Sequence, residues 1–510
     1  MERKVKTGPK IIGLALLVIG LIFGGKWVLN NTNIIPKGSS GTSKSFFKHA
    51  KEPLKVCVVT WGGYAGGQYY NRGFKPNDDS QYLKKYDLPV EFVVIDDYNA
   101  SREAWKADAV QVLWTTADSF PTEAGALQRA GYKPKIIFQS DWSRGGDVIV
   151  STRVINSIQD LKGKRVSVAF GTPSHTFLLR SLEAVGMTVK DLKLIEVPSA
   201  VDSATAFKAG QVEAAVVWSP DDEDCISKVS GAKALASTKQ ATHIIADVFY
   251  AKEEIIEKRR DDIKALVEGW MIGAAEVNSS PTARSQAVKI LAEGLNQPDG
   301  FIDQAINNVR LNTYGDNVNF FNLRGSFTGV TGEQLYLETG RLYQENTNLV
   351  PDGMPSWRVI SDASILRDIN LTGVNDGAES DFKFSQPTKS LETAPALSTK
   401  RLSVSFATGS ASLDANAKTI IDLGFVPTAK SFASARIRIE GNTDSTGSAS
   451  TNERLSYLRA KAVAGYLSEQ YGFDSNRFVI VGNGPNKPIA DNDTEEGRSA
   501  NRRTDFELVR

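Results

Sequence analysis

The sequence predicts an α/β protein with one membrane-spanning helix near its N-terminus, a two-lobed central domain and a small α/β sandwich at its C-terminus. Three observations indicate this organisation. One long apolar run occupies residues 11–29. Strand-like and helical stretches alternate over residues 53–371, which is typical of domains built on parallel sheets. A stretch without apolar periodicity, residues 372–400, precedes a last α/β segment at residues 401–510.

The composition excludes several classes of protein. The 510 residues suffice for roughly three domains, and a formal net charge of +1 gives no global reason to expect a nucleic-acid partner. The two cysteines, Cys57 and Cys225, are far apart and the three histidines are scattered, so we predict no disulfide, no metal site and no cofactor. The sequence also lacks a phosphate-binding Gly-x-x-x-x-Gly-Lys loop, a nucleophile elbow and a helical His pair. We therefore predict no catalytic residue and do not expect an enzyme.

The N-terminal residues are predicted to anchor the chain in a membrane. Residues 1–10 are basic and form a predicted cytoplasmic tail, and residues 11–29 span about 28 Å as a helix, just enough to cross a bilayer. Basic flanks stay in the cytoplasm, so we expect a single-pass inner-membrane protein with its domains in the periplasm. A cleaved signal peptide is the alternative, because the most apolar part, residues 11–23, is short. No small-x-small cleavage site follows it.

The central domain is predicted at residues 53–371, after a Ser-, Gly- and Lys-rich linker at residues 30–52. Its strand-like runs fall into two sets, one between residues 54 and 150 and the other between residues 165 and 218. Two sheet-bearing halves predict two lobes with a cleft between them, where the carboxyl ends of the strands meet. Polar and aromatic residues collect in five loops that follow these strands. Any one loop is explained as an ordinary turn, but five at corresponding strand ends favour a binding cleft.

Five short motifs of the central domain carry a family resemblance. They are Thr60-Trp-Gly-Gly-Tyr64, Gly146-Asp147, Ile158-Gln-Asp-Leu-Lys-Gly-Lys164, Gly171-Thr-Pro-Ser-His175 and Ala206-Phe-Lys-Ala-Gly-Gln-Val212. Together they resemble the nitrate, sulfonate and taurine type of periplasmic solute-binding protein. The resemblance implies a two-lobed periplasmic-binding-protein fold that closes around one small molecule and delivers it to an ABC-type transporter. By position, the expected ligand-binding residues are Trp61, Tyr64, Thr116, Asp141, Ser143, Thr172, Ser174, His175 and Trp218.

The charge of the ligand stays open at this point. The Thr172-Pro173 pair predicts a helix start whose free N–H groups can hold an anionic group. The loops are nevertheless rich in acids, so a cationic or zwitterionic ligand is an alternative. These acids are Asp141, Asp147, Asp221, Asp222 and Asp224. For the last three, a solvated acidic surface is the simpler explanation.

A turn at residues 441–447 joins a strand to a helix in the C-terminal segment. Apolar and charged residues alternate before it, and apolar residues recur at helical spacing after it. Asp444 lies in the turn, whereas Asn452, Ser456 and Arg459 share one stripe of the helix. A carboxylate and a guanidinium placed in this way can bind a small zwitterion. The spacing alone leaves open that Asp444 caps the turn and that Arg459 is a solvated charge.

The same segment contains many residue types at fixed offsets. They are Thr443-Asp444, Gly447, Asn452, Leu455-Ser456, Arg459-Ala460, Gly482, Gly484, Gly497-Arg498 and Asn501-Arg502-Arg503. Together they resemble the OmpA-like peptidoglycan-binding domain, with Asn442 where that family usually has His. The resemblance implies that peptidoglycan is a partner and that Asp444 and Arg459 hold the diaminopimelate of its stem peptide. The matching positions also place Thr443, Asn452, Ser456 and Arg503 in the predicted site.

These features predict a membrane-anchored, wall-binding receptor that captures a small molecule for an ABC-type transporter. The alternative is an envelope scaffold or a stator-like subunit of a membrane complex, in which the lobed domain contacts another protein or senses a ligand. Stator subunits carry an acidic residue in their span, and residues 11–29 contain none.

Overall fold

The computed structural model describes residues 51–351, 353–404, 406–407 and 409–509. The predicted cytoplasmic tail, the predicted membrane helix and nearly all of the first predicted linker therefore lie outside the described residues. Within the part of the chain that is described, no helix combines the length and the apolar character needed to cross a bilayer.

The strands form three groups along the chain, and helices follow most of the strands in the first two groups. In chain order the strands are β1 (Leu54–Val58), β2 (Val90–Val94), β3 (Val112–Thr116), β4 (Pro134–Ser143), β5 (Asp147–Ser151), β6 (Arg165–Ala169), β7 (Lys193–Val197), β8 (Ala214–Trp218), β9 (Lys233–Ser237), β10 (Ala246–Lys252), β11 (Val309–Leu311), β12 (Ser398–Leu402), β13 (Arg436–Asn442), β14 (Phe478–Gly484) and β15 (Thr504–Val509).

The helices cover the faces of the sheets, and four of them, α8 to α11, follow one another without an intervening strand. In chain order they are α1 (Ala65–Tyr70), α2 (Gln81–Tyr86), α3 (Tyr98–Lys106), α4 (Pro121–Arg129), α5 (Pro173–Glu183), α6 (Ala200–Lys208), α7 (Asp221–Lys228), α8 (Glu253–Lys258), α9 (Arg260–Ser279), α10 (Pro281–Leu295), α11 (Asp299–Asn307), α12 (Tyr314–Phe320), α13 (Gly332–Asn346), α14 (Trp357–Ile360), α15 (Ser364–Arg367), α16 (Ala415–Gly424), α17 (Val426–Ser431), α18 (Ala449–Tyr471) and α19 (Glu495–Asn501).

The central domain contains two sheets, one in each lobe. The first has the strand order β11-β4-β10-β3-β1-β2 and the second has the order β7-β6-β8-β5-β9. Strand β1 runs parallel to β2 and β3, and β6 runs parallel to β7 and β8. Strands β5 and β10 run antiparallel to their neighbours, and each is the first strand after the chain has passed from one lobe to the other. The sheets are therefore mixed, and the two lobes confirm the predicted architecture.

Two crossing segments connect the lobes. Residues 144–146 lead from β4 to β5, and residues 238–245 return from β9 to β10. Thr238 joins the two segments, because its Oγ1 accepts the Gly145 N–H at 2.8 Å and the Asp147 N–H at 3.2 Å. The polar residues that flank both segments are thereby brought to the cleft.

The core of the first lobe is aromatic. Phe138 and Phe249 stack with their ring centres 5.2 Å apart, and the ring of Trp270 from α9 lies 4.7 Å from Phe249. Helix α9 approaches α1 closely, since a Cβ at Gly273 would lie 2.1 Å from the carbonyl oxygen of Gly66. These contacts fix α1, and with it the preceding turn at the mouth of the cleft.

The C-terminal domain is a sheet of strand order β12-β15-β13-β14 covered by helices. Helix α18 lies directly on the sheet, because a Cβ at Gly441 would come within 2.1 Å of the carbonyl oxygen of Ser456. The predicted α/β sandwich is confirmed. Its first strand begins at Ser398, inside the segment predicted as a linker, because residues 398–402 pair with β15.

The remainder of that predicted linker packs against both neighbouring domains. Glu379 forms a two-point ion pair with Arg144 of the first crossing segment, with N···O distances of 2.7 and 3.0 Å. Phe384 N–H donates to Asp474 of the C-terminal domain at 3.1 Å. The freely moving tether expected from the composition is instead held by specific polar contacts.

The C-terminal domain itself contacts the second crossing segment. The His243 N–H donates to the carbonyl oxygen of Ser431 at 3.0 Å, and Ser434 Oγ–H donates to the carbonyl oxygen of Lys239 at 3.1 Å. Apolar residues of both domains form one continuous core next to these bonds. The segment that connects the lobes is therefore also a docking point of the C-terminal domain.

Candidate functional site

A narrow cavity of about 30 Å³ lies between the two lobes, at the carboxyl ends of β1, β3 and β8. A volume of this size holds about one or two water molecules, so the lobes are nearly closed. Aromatic residues and aspartates are prominent in its wall. The first lobe contributes Val59, Thr60, Trp61, Tyr64, Trp114, Thr116, Ile245 and Asp247, and the second lobe contributes Asp147, Pro173 and Trp218.

Four aspartates are buried in and around this cavity. Asp118 and Asp141 are fully buried, and Asp147 and Asp247 are 3% and 4% exposed. The pairing of β4 with β10 places Asp141 directly opposite Asp247. Among the described residues, no lysine or arginine forms an ion pair with any of the four carboxylates.

Neutral donors of the first lobe hold two of these acids. Trp61 Nε1–H donates to Asp141 Oδ1 at 3.2 Å, and Tyr64 O–H donates to Asp247 Oδ1 at 2.7 Å. Gly63 lies between these donors and makes room for the first acid, since a Cβ at Gly63 would be 2.0 Å from Asp141 Oδ2. The Trp-Gly-Gly-Tyr turn therefore packs onto both carboxylates.

The other two acids also accept only neutral donors. Ser174 Oγ–H donates to Asp147 Oδ1 at 3.2 Å, and Ser143 Oγ–H donates to Asp147 Oδ2 at 3.4 Å. Asp118 accepts the Ala246 N–H through Oδ1 at 3.1 Å. Its Oδ2 is buried without a hydrogen-bond partner in the described structure.

Burial raises the pKa of all four carboxyl groups. It raises the pKa of Asp118 and of Asp147 to about 7, because desolvation outweighs the hydrogen bonds that each carboxylate accepts. Burial, followed by the negative charge of Asp141, raises the pKa of Asp247 well above its ordinary value, and burial likewise raises the pKa of Asp141. Near neutral pH the cleft thus retains protons that a positively charged group would displace.

Most of the predicted ligand-binding residues meet at this cavity. One group forms its wall, and a second group is hydrogen-bonded to the wall from behind. The first group is Trp61, Tyr64, Thr116 and Trp218, and the second is Asp141, Ser143 and Ser174.

Thr172 and His175 lie outside the cavity wall and support the turn before α5. Thr172 Oγ1–H donates to the carbonyl oxygen of Ala169 at 2.8 Å. His175 Nδ1 accepts the Gly171 N–H at 3.2 Å, and its ring stacks on Phe170 at 4.6 Å. Burial lowers the pKa of His175 to about 4, so its ring is neutral. The structure therefore does not place these two side chains in the cavity wall, and their predicted contact with a ligand stays a prediction.

Several wall residues are not among the predicted ligand-binding residues, and Asp147, Asp247 and Trp114 are the most important of them. Asp247 was detectable as an acid inside an otherwise apolar strand-like run, a placement that buries a charge and calls for a partner. Trp114 was hidden because a tryptophan in an apolar strand, β3, is ordinarily a core residue.

The C-terminal domain contains a second cavity, of about 230 Å³, between β13, α18 and the end of α19. Its charged groups are arginines, and Asp444 lies beside them in the turn after β13. Asp444 Oδ2 accepts from Arg502 Nη1 at 2.8 Å, and Oδ1 accepts the Thr446 N–H at 3.0 Å. The lining residues are Ser403, Val404, Phe406, Gly441, Asn442, Arg459, Ser499, Arg502, Arg503 and Thr504.

Arg459 extends from α18 into this cavity and has no carboxylate partner in the part of the chain described. Its Nε–H donates to the carbonyl oxygen of Ser410 at 3.0 Å, and its guanidinium lies 4.9 Å from the ring centre of Phe406. Burial lowers the pKa of Arg459, while Asp444 acts in the opposite direction. Burial acts to raise the pKa of Asp444, but the hydrogen bonds from Arg502 and Thr446 outweigh it and hold that pKa below its ordinary value. The site thus presents an ionised acid beside an arginine whose charge is not neutralised by an acid.

The remaining predicted wall-binding residues hold the scaffold of the site. Thr443 and Asn452 bond to backbone carbonyls of the turn, Ser456 Oγ accepts the Gly484 N–H, and Arg503 pairs with Asp505. Arg502, which reaches Asp444, belongs to the Asn501-Arg502-Arg503 motif but is not among the predicted site residues. Adjacent arginines cannot be ranked from sequence, since the bend after α19 decides which one faces the acid.

Comparisons with protein families match two separate parts of the chain. Residues 405–502 match the OmpA family, and residues 146–283 match the family described as NMT1/THI5 like.

Curated relatives match the C-terminal domain. Outer membrane porin F of Pseudomonas aeruginosa is 43% identical over 79 residues, covering 16% of this chain and 23% of the relative. The probable lipoprotein YiaD of Escherichia coli is 41% identical over 106 residues, covering 21% of this chain and 47% of the relative. The peptidoglycan-binding protein ArfA of Mycobacterium bovis is 46% identical over 77 residues, covering 15% and 23%. This chain therefore spans less than half of the length of each of these three relatives.

Solved structures align with the central domain. The periplasmic aliphatic sulphonate binding protein SsuA from Escherichia coli is 19% identical, with a TM-score of 0.48 over 67% of this chain and 98% of that chain. The ligand-binding component of an ABC-type import system from Staphylococcus aureus, with zinc bound, is 12% identical, with a TM-score of 0.47 over 62% and 99%. Taking the sequence matches with the folds described above, the chain combines an NMT1/THI5-like segment at residues 146–283 with a C-terminal domain of the OmpA family at residues 405–502.

Proposed function

We propose that this protein is a receptor of the cell envelope, which binds a small molecule between its two lobes and peptidoglycan through its C-terminal domain. The observation that carries the proposal is that one chain joins a buried inter-lobe cavity, walled by aromatic residues and unpaired acids, to an OmpA-family domain in which the charge of Asp444 acts on Arg459. We propose binding, not catalysis, as its activity.

Binding in the central domain requires the lobes to separate and close again. The cavity of about 30 Å³ has no room for more than a very small ligand while the lobes are closed. The crossing segments at residues 144–146 and 238–245 are the natural hinge, because two short connections can absorb a rotation of one lobe against the other.

Peptidoglycan binding uses the acid and the arginine of the C-terminal cavity. A stem-peptide residue that carries an ammonium and a carboxylate satisfies both, since Asp444 takes the ammonium and the guanidinium of Arg459 takes the carboxylate in two parallel hydrogen bonds. Arg502 Nη1 already donates to Asp444 Oδ2 at 2.8 Å. Because the Arg502 side chain is 40% exposed, solvent screens this ion pair, and an incoming ammonium group can compete with it.

Sedimentation with purified cell-wall sacculi tests the wall-binding part. Asp444→Asn and Arg459→Ala should each move the protein from the pellet to the supernatant. Arg454→Ala, on the exposed part of the same helix, is the matched control and should stay in the pellet. Sedimentation of both site variants at the wild-type level would remove peptidoglycan binding at this site from the proposal.

We further propose that residues 11–29 hold the receptor in the inner membrane and that an ABC-type transporter accepts its ligand. Attachment to both membrane and wall confines the receptor and raises its effective concentration near the transporter. Purification of the full chain from membranes in mild detergent tests this step. Subunits of an ATP-driven transporter are expected to co-purify.

One observation favours the second candidate, an envelope scaffold or stator-like subunit. The cleft is nearly closed, and the C-terminal domain is bonded to the segment that connects the lobes, as expected of a lobed domain that transmits contacts to another protein. Co-purification of a motor-type helical complex, without transporter subunits, would favour this candidate over the receptor.

A further inference from the structure

We propose that the inter-lobe cavity binds a small organic cation, an alkylammonium or guanidinium group, which Asp141, Asp147 and Asp247 hold together with the aromatic wall. The inference rests on the proposed receptor function and specifies its ligand class. Four lines of structural observation support it.

The first is the balance of charge. Asp118, Asp141, Asp147 and Asp247 are all buried. Arg102, whose charge acts on Tyr64, is itself bonded to Glu123 at 3.1 Å. Buried acids without cationic partners disfavour a further negative charge strongly and favour a positive one. An anion would have to bind beside carboxylates that are already negative, or the four carboxyl groups would have to keep their protons when it binds.

The second is the direction of the hydrogen bonds. Trp61 N–H is directed to Asp141, Tyr64 O–H to Asp247, and Ser174 O–H to Asp147. These three donors of the cleft therefore already form hydrogen bonds to carboxylates, whereas each carboxylate can accept several further hydrogen bonds. The Trp218 indole N–H makes no hydrogen bond of standard geometry, but it too acts on an acid, since it lowers the pKa of Asp147. The cavity therefore offers acceptors, which is what the N–H groups of a cation require.

The third is a buried carboxyl group whose second oxygen makes no hydrogen bond of standard geometry, although the hydroxyl groups of Thr116 and Thr176 act on it. Asp118 is fully buried, and its Oδ2 has no hydrogen-bond partner among the described residues. Its charge acts on both Asp147 and Asp247, so it lies close behind the cavity. An unsatisfied buried carboxylate oxygen costs stability, which a bound cation or a ligand-associated water would recover.

The fourth is the aromatic wall. Trp61, Tyr64, Trp114 and Trp218 surround the same small volume. Aromatic rings attract cations through their electron-rich faces, most strongly where water is excluded. Acids and indole rings around one cavity form a cage for a cation, and the small volume selects a compact head group.

Calorimetric titration of the full chain in detergent tests the ligand class. The probes are methylammonium and guanidinium as cations, and nitrate and methanesulfonate as anions, each at pH 6 and pH 8. The titratable groups in and behind the cavity wall are the four aspartates and Tyr64, while His175 lies outside the wall and Arg102 acts on Tyr64. A cation requires ionised carboxylates, so binding should release protons and tighten by about tenfold per carboxyl of pKa near 7 between pH 6 and pH 8. An anion would show the opposite sign.

The two proposals fail in different ways in this experiment. Binding of nitrate or methanesulfonate, tighter at pH 6, with no binding of either cation, overturns the cation class and leaves the receptor intact. Absence of binding for all four probes at both pH values counts against both proposals.

Isosteric variants provide the structural control. Asp147→Asn should weaken methylammonium or guanidinium binding at least tenfold, and in the ligand-free state it should raise the unfolding midpoint at pH 8, because it removes a buried charge. Asp247→Asn should weaken cation binding and raise the unfolding midpoint in the same way. It replaces Asp147→Asn as the test if that variant fails to fold. Asp224→Asn is the matched control, since Asp224 is partly exposed and paired with Lys208 and Lys228. Unchanged cation binding in folded Asp147→Asn and Asp247→Asn protein overturns the assignment.

Discussion

Asp141 and Asp247 lie directly opposite each other in neighbouring antiparallel strands, and both are buried beside the cavity between the lobes. Burial opposes the ionisation of both carboxyl groups, and no lysine or arginine among the described residues offsets their charge, so the pair resists losing its protons. A ligand of opposite charge favours their ionisation. The binding site and the pH dependence of stability are therefore linked.

The ligand-free protein should lose stability as the pH rises from about 4 to about 7. The folded-state pKa of Asp118 and of Asp147 is about 7, above the unfolded value, so the folded state binds more protons over this range and its advantage disappears as the pH passes the folded pKa. Each group can contribute up to about 4 kcal/mol. Urea unfolding at pH 5 and pH 8 measures the difference, and a higher free energy of unfolding at pH 8 would contradict the expectation.

Gly63→Ala should impair ligand binding, because the added Cβ would lie 2.0 Å from the carboxylate of Asp141 and displace it from Trp61. Gly300→Ala is the matched control, since a Cβ at Gly300 meets open space. Titration of both variants with the same ligand should show at least a tenfold loss of affinity for the first and no loss for the second. Equal affinities would show that the position of Asp141 does not matter for binding.

Arg459→Lys should abolish sedimentation with sacculi although the charge is kept. A lysine ammonium cannot form the two parallel hydrogen bonds that a guanidinium makes with a carboxylate, and the loss is expected to exceed about 1.4 kcal/mol, or tenfold in affinity. Arg454→Lys is the control. If Arg459→Lys sediments normally, the cavity uses this residue only as a point charge.

Glu379→Gln should expose the segment between the central and C-terminal domains to proteases. Burial acts to raise the pKa of Glu379, but His243, whose Nε2 lies 3.7 Å away, and the hydrogen-bonded Arg144 outweigh it and hold the pKa at about 2, so the contact should persist until the pH falls towards 2. At neutral pH, limited proteolysis should cut residues 372–397 several-fold faster in this variant. Glu392→Gln changes an exposed acid of the same segment and should be cut at the wild-type rate. Identical rates in all three proteins would show that the ion pair does not hold the segment.

The sequence predicted what is encoded locally. The sequence predicts the loop of Trp61 and Tyr64 at the cleft, because a polar turn after a buried strand has few other locations. It also predicts Asp444 in a turn and Arg459 on the helix that follows. The strand starting at Ser398 was missed, because its partner is more than a hundred residues away in β15.

Residues that depend on distant pairing could not be predicted. Asp247 reaches Asp141 only because β10 inserts between β3 and β4, and this register is set by residues far apart in the chain. His175 is expected at the ligand from its place after a strand, but its ring stacks on Phe170 outside the cavity wall, which the local sequence does not reveal. The membrane helix at residues 11–29 stays a prediction.

Thermal unfolding of the full chain against small cations, zwitterions, anions and neutral compounds tests the central claim most directly. A ligand at a hundred times its dissociation constant adds about 2.7 kcal/mol to the free energy of unfolding, which should raise the midpoint of the central domain by several degrees. We expect such a shift with at least one cation, larger at pH 8 than at pH 6 and clearly smaller in Asp147→Asn. A flat response to every class of compound would contradict a solute receptor and favour the scaffold.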